Sequence, residues 1–206
     1  MKYYSLFNNS LNSQFGEIAN NIIIEKKSKF ISYLFTTNTS EESNKYIEEL
    51  KAKYNDSRHV VYIYSNIQNN IANIRFSDDG EPKGTGTKAI YELLEKEKIS
   101  NICIVIIRYF GGILLGAGPL SRTYLNAARS VIEQCERKEI YIYNTKTYEL
   151  EYSHYNNIIQ IIDEYKKNEH IIITNIQFND KININIEVVN FLEMEIDTLF
   201  MERKYD

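Results

Sequence analysis

Two cysteines, Cys103 and Cys135, are all the thiol chemistry that 206 residues offer. One lies inside an apolar run and the other at the end of a predicted helix. So sparse a set excludes a disulfide framework or a zinc-ligand pattern and leaves both as reduced packing thiols. Tryptophan is absent, and histidine occurs only at 59, 154 and 170. These three form no H-x-x-x-H pair, and no serine has a G-x-S-x-G setting, so a hydrolytic triad is unsupported. Long apolar runs are lacking too. The longest, "ICIVII" at residues 102–107, is far below the roughly 20 residues of a membrane span. The first residues show no sustained apolar stretch and no small-residue cleavage site. The expectation is a cytoplasmic protein with no membrane partner. Positive charge is not in excess, since the net charge is −4. Residues 138–206 carry 7 basic and 13 acidic side chains, so the remainder is slightly positive. That excludes a polycation built to coat DNA, and any nucleic-acid contact must be local.

A hydrophobic fraction of 43% and a charged fraction of 25% describe a chain able to bury a core. Its length suits one large domain or two small ones. "NNIIIEKKSKFISYLFTT" predicts two strands around a charged turn. "TSEESNKYIEELKAKY" predicts a helix opened by a capping box of Thr39 and Glu42. "HVVYIYSNI" and "IANIRFS" predict strands joined by a turn at Asn69 and Asn70. "TKAIYELLEKEK" predicts a helix with Thr87 as N-cap. "NICIVIIRYF" is too apolar for a wet face and predicts a central strand. "PLSRTYLNAARSVIEQCER" predicts a helix with Pro119 at its first position. From there the pattern reads β-α-β-β-α: a strand alternating Tyr148, Leu150 and Tyr152, a helix over 156–167, two strands turning at Asn179 and Asp180, and a final helix. That order suits a ferredoxin-type α+β sandwich, short of its last strand.

Glycine is scarce as well, and unevenly placed. Of eight, four (Gly111, Gly112, Gly116, Gly118) fall in "IIRYFGGILLGAGPLSRTY" and three (Gly80, Gly84, Gly86) in "RFSDDGEPKGTGTK". Each loop joins a strand to a helix, where free N–H groups and the helix dipole favour an anion. Arg108 at the strand exit and Arg122 in the following helix could add charge-assisted bonds. The alternative is a pair of tight turns whose glycines serve packing. Nucleotide motifs fail: Ala117 follows Gly116 where a P-loop needs lysine, and Gly84-Thr85-Gly86 with Ala89 lacks the strand context of a dinucleotide fold. Asp78, Asp79 and Glu81 could hold a cation or act as acid and base; equally, they could bond to local backbone N–H groups in an acidic turn. Lys83 and Arg75 are near enough in sequence to neutralise that turn. His59 opens a strand, a place where histidine is more often a structural hydrogen-bonder than a catalyst.

The two segments together, S-D-D-G-E-P-x-G-T followed by an apolar strand and R-Y-F-G-G-I-x-L-G-A-G-x-L-x-R-x-Y, resemble the signature of the IMPACT/YigZ family. The resemblance implies an α+β protein of two domains. Residues 1–137 would form an α/β domain similar to a ribosomal-protein domain 2-like fold. Residues 138–206 would form a ferredoxin-like domain similar to one in elongation factor G. It also implies a link to translation, which eukaryotic members regulate through a stress-kinase pathway. No domain is expected ahead of the signature, so that eukaryotic partner is not carried over, and the two-domain form resembles the bacterial branch. The family's H-x-C-x-A-Y strand becomes "HVVYIY", with Val61 in place of cysteine and Ile63 in place of alanine, which puts a thiol mechanism in doubt. Pro119 stands where the family commonly has glycine.

The expectation is a non-enzymatic binding protein without cofactor or metal, touching RNA or a translation-associated protein. Its anion-binding edge would comprise Arg75, Lys83, Gly84, Thr85, Arg108, Gly111, Gly112, Gly116, Gly118 and Arg122, with Tyr109 or Phe110 stacking on a base. The alternative is an enzyme acting on a small phosphorylated or carboxylated metabolite through Asp78, Asp79 and Glu81.

Overall fold

Lys26 and Lys27 both adopt positive φ, 43° and 66°. That pairing closes a two-residue hairpin whose twist matches its strands. It joins β2 (Ala19–Glu25) to β3 (Ser28–Thr36). The structure, a computed structural model, describes residues 2–8, 16–68 and 71–202. The expected turn at Asn69 and Asn70 lies outside the described residues.

Tyr3–Ile140 forms one compact unit. After β1 (Lys2–Phe7), β2 and β3 come α1 (Ser40–Lys53), β4 (His59–Gln68), β5 (Ile71–Ser77), α2 (Lys88–Glu97), β6 (Ile102–Tyr109), α3 (Ala117–Ile132) and β7 (Glu136–Tyr141). Five strands make a sheet in the order β2-β3-β6-β4-β5, and every neighbouring pair in it is antiparallel. β6 is the middle strand, and its run of apolar residues follows from having both faces covered. Ile102, Ile104 and Ile106 pack with Leu93 and Leu94 of α2 and Tyr124, Ala127 and Val131 of α3. Cys103, Val105 and Ile107 pack with Ile47 and Leu50 of α1. The alternation continues to the strand end, so Arg108 falls on the α3 face and Tyr109 on the other.

Helix starts depart from expectation in detail. Thr39 caps α1 by accepting the Glu42 N–H at 3.1 Å, but the Glu42 carboxylate reaches the N–H of Asn38 rather than that of Thr39. α3 begins at Ala117 with Gly116 as N-cap, so Pro119 is its third residue. The correction costs nothing, because the third N–H of a helix also lacks a partner. α3 ends at Ile132, earlier than predicted, and the chain turns into β7. β1 and β7 pair in a small two-stranded sheet that sequence periodicity missed.

The second unit contains the residues from Tyr141 onward. It holds β8 (Tyr143–Leu150), α4 (Tyr152–Lys166), β9 (Ile171–Phe178), β10 (Ile182–Val189), a 3-10 turn (Asn190–Leu192) and α5 (Glu193–Glu202). Tyr152, expected on the strand, opens the helix instead. β10 lies between β8 and β9, antiparallel to both, so β8 and β9 run parallel on either side of it. Ile182, Ile184, Ile186 and Val188 face inward against Ile158 and Ile162 of α4 and Ile196 and Phe200 of α5. Among the described residues no helix is long and apolar enough to cross a membrane.

Candidate functional site

Three residues stand abreast at one end of the five-stranded sheet. Phe30 of β3 pairs with Arg108 of β6, and Arg108 pairs with His59 of β4. All three project onto the α3 face, and both glycine loops close over them.

The first loop is wound around its own carboxylate. Asp78 accepts the N–H of Gly84 at 2.6 Å, of Gly86 at 3.1 Å and of Thr87 at 2.9 Å, and the Thr87 hydroxyl at 2.9 Å. The anion gripped by these glycines is therefore Asp78 itself. Thr87 does precede α2, yet its side chain makes no cap; Asp78 takes the helix-start N–H groups instead. Gly86 is required sterically, since a Cβ there would lie 2.9 Å from both Asp78 and Val61.

The three acidic residues of this loop turn three ways and do not converge. Asp79 accepts the Val60 N–H at 2.6 Å, and its carbonyl oxygen meets His59 Nδ1 at 2.7 Å. Glu81 turns inward. Its Oε1 accepts from Arg108 Nη1 at 2.5 Å and from the Tyr124 hydroxyl at 2.8 Å. Its Oε2 stands 3.7 Å from His59 Nε2. Among the described residues no group of carboxylate, histidine or cysteine side chains is arranged to hold a metal ion. Burial, then the Glu81 charge, pushes the Tyr124 phenol up, so it stays a proton donor.

Arg108 is 5% exposed and neutralised by Glu81. Its guanidinium lies 5.4 Å from the Phe30 ring centroid and 5.7 Å from that of Phe110. Its Nε is buried and has no hydrogen-bond partner among the described residues. Arg108 is thus a floor residue, where an exposed edge cation had been expected.

The second loop is held by Gly111, whose N–H donates to the Ser28 hydroxyl at 3.1 Å. A Cβ on Gly111 would fall 2.1 Å from the Lys27 carbonyl carbon, so only glycine passes the hairpin turn here. Gly112 and Gly118 face open space, and Gly116 has φ 84°.

The loops meet around a cleft of about 330 Å³. Glu81 and Pro82 come from the first loop, Phe110, Leu114, Leu115, Gly116 and Ala117 from the second, and Arg58, His59, Arg108 and Leu120 complete the walls. Leu114 is 82% exposed at its mouth. Of the remaining expected edge residues, Lys83, Arg122 and Arg75 are all exposed, Arg75 on the outer strand β5. Gly84 and Thr85 stay within the first loop, where Thr85 bonds to the Pro82 carbonyl. Tyr109 lies on the opposite face. Its hydroxyl donates to Asp56 at 2.6 Å, and that bond, with burial second, pushes its pKa up to about 12. Sequence reasoning missed Arg58, Leu114 and the polar role of Tyr124. The only signal for Tyr124 was a hydroxyl-tipped residue on the inward stripe of α3.

This architecture, a mixed α+β chain whose signature loops enclose a cleft, matches known proteins. Residues 26–132 match the family model described as the Impact N-terminal domain. That is more than half of the chain, and the chain belongs to the IMPACT family. It is 38% identical over 107 residues to IMPACT family member YvyE of Bacillus subtilis, covering 50% of this chain and 46% of that one. It is 36% identical over 110 residues to IMPACT family member YigZ of Escherichia coli, covering 53% and 54%. The chain spans about half the length of the curated relatives it matches. A crystal structure described as a hypothetical protein shares the fold at TM-score 0.61 and 23% identity, covering 95% of this chain and 89% of that one.

Proposed function

We propose that this protein is a non-enzymatic, translation-related regulator that contacts a short stretch of RNA with the loop end of its five-stranded sheet. The link to translation rests on membership of a family whose eukaryotic members the resemblance ties to translational control. The observation that carries the contact is the gathering of exposed cations at that end. Lys26 and Lys27 form the hairpin turn against Gly111 and Lys29 follows it, Arg58 enters β4, Lys83 follows Pro82, and Arg122 rides on the start of α3. Exposed Phe110 stands among them as a stacking face. Acidic side chains there are Glu25, Asp56, Asp78, Asp79 and Glu81; Asp56 is bonded to Tyr109, Asp78 to the N–H groups of its own loop, Asp79 to the Val60 N–H and Glu81 to Arg108. The surplus is positive, as a phosphate-tracking surface requires. The footprint is small, because the chain as a whole carries −4.

The test is fluorescence anisotropy with short single-stranded RNA at two salt concentrations, comparing wild type with Arg58→Ala/Arg122→Ala. Affinity should fall steeply with salt, and the double variant should bind more weakly with a slope shallower by about 1.4. Equal affinities, or binding indifferent to salt, would remove the RNA contact.

A further inference from the structure

The floor of the cleft carries polar atoms turned toward its interior. His59 Nδ1 lies 2.7 Å from the Asp79 carbonyl oxygen and donates to it, which in the neutral imidazole leaves Nε2 as an acceptor. Facing it at 3.7 Å, within ion-pair range but too far for a hydrogen bond, is Glu81 Oε2. Two acceptors at this separation call for a group with two protons between them. Beside them, Arg108 keeps a buried Nε donor without a partner among the described residues, although Arg108 is only 5% exposed. The walls above are apolar: Pro82, Phe110, Leu114, Leu115 and Leu120. The volume, about 330 Å³, falls at the small end of ligand pockets, which run from roughly 300 to 1,000 Å³.

We infer that the cleft receives one unpaired nucleobase bearing an exocyclic amino group, inserted edge-first between its apolar walls. The amino group bridges Glu81 Oε2 and His59 Nε2, and Phe110 and Leu114 cover the ring faces. The base's phosphate lies over the start of α3, where Ala117 and Gly118 have backbone N–H groups and no side-chain cap, with Arg58 at the mouth. Uracil, which shows carbonyl oxygens where cytosine shows an amino group, sets acceptor against acceptor and is rejected. This inference rests on the RNA reading above and names the chemistry of its specificity.

Cytosine and uracil differ at that one position and make the cleanest probe. Leucine-methyl NMR spectra would be followed during titration with CMP and UMP, and anisotropy measured with oligo(C) and oligo(U). CMP should shift the Leu115 and Leu120 methyl signals, and oligo(C) should bind about tenfold more tightly than oligo(U). Leu114→Ser, at an 82% exposed position that does not test the fold, should reduce that preference. Methyl signals unmoved by either nucleotide, or equal affinity for the two oligomers, overturn the inference. Oligomers that still bind with salt dependence in that case leave the RNA contact standing. Methyl shifts with CMP but no oligomer binding keep the cleft as a nucleotide site and remove the RNA contact instead.

Discussion

Asp78 shows how a loop that advertises anion binding can satisfy itself. Three backbone N–H groups and a hydroxyl converge on one carboxylate that the chain supplies. The second loop has no such internal guest, and its glycines differ sharply in what they are for. Gly111 passes so close to the Lys27 backbone that a methyl group cannot be fitted without moving the hairpin. Gly118, in the first turn of α3, has nothing within reach of a Cβ. Gly111→Ala should therefore destabilise the protein by about 2–4 kcal/mol, while Gly118→Ala should be neutral or stabilise by about 0.5 kcal/mol. Urea unfolding of the two variants checks the contrast; similar midpoints would mean that the close approach at Gly111 does not constrain the fold.

Paired strands and helices account for what could and could not be foreseen. β6 was legible as a central strand because six successive apolar residues have no use on a solvent-facing strand, and the stripes of α2 and α3 were legible from their spacing. β7, "ERKEIY", has four exposed positions in succession and no alternation; it exists through its pairing with β1, more than a hundred residues away. The site follows the same division. Its loops were visible as clusters of glycine, and the bonding of Asp78 to nearby N–H groups was one of two readings that local spacing allowed. The pairing of Glu81 with Arg108 and Tyr124 depends on chain separations of 27 and 43 residues, which no local pattern encodes. In the second unit, α5 is tied to β8 by a polar group: Tyr148 donates to Asp197 at 2.5 Å, and Lys146 bridges Glu193 and Asp197 at 2.5 and 3.1 Å. The bond from Tyr148, then that from Lys146, holds the Asp197 carboxyl below its ordinary range, and Lys146 likewise lowers Glu193. Folded-state values below the unfolded ones mean stability that is present above about pH 4 and is lost as pH falls through the lowered values. Asp197→Asn should flatten that acid loss. The β10 amide signals, followed in urea at neutral and at strongly acidic pH, would report it, and an unchanged acid response would show that Asp197 is not its source.

Each of the two units has its own buried cluster, and every residue of the candidate site belongs to Tyr3–Ile140. A fragment of residues 1–140 should therefore unfold cooperatively and bind RNA at least as tightly as the full chain, since the acidic residues beyond it are removed. A fragment that folds but loses RNA would assign part of the contact to the second unit. The register of the sheet has a further consequence. Arg108 and His59 are directly opposed on neighbouring strands, so a slip of one position between β4 and β6 would throw one of them to the α1 side. Ligand capture in this cleft would then count correctly aligned molecules, and a titration would serve as a gauge of refolding yield where circular dichroism sees only strand content.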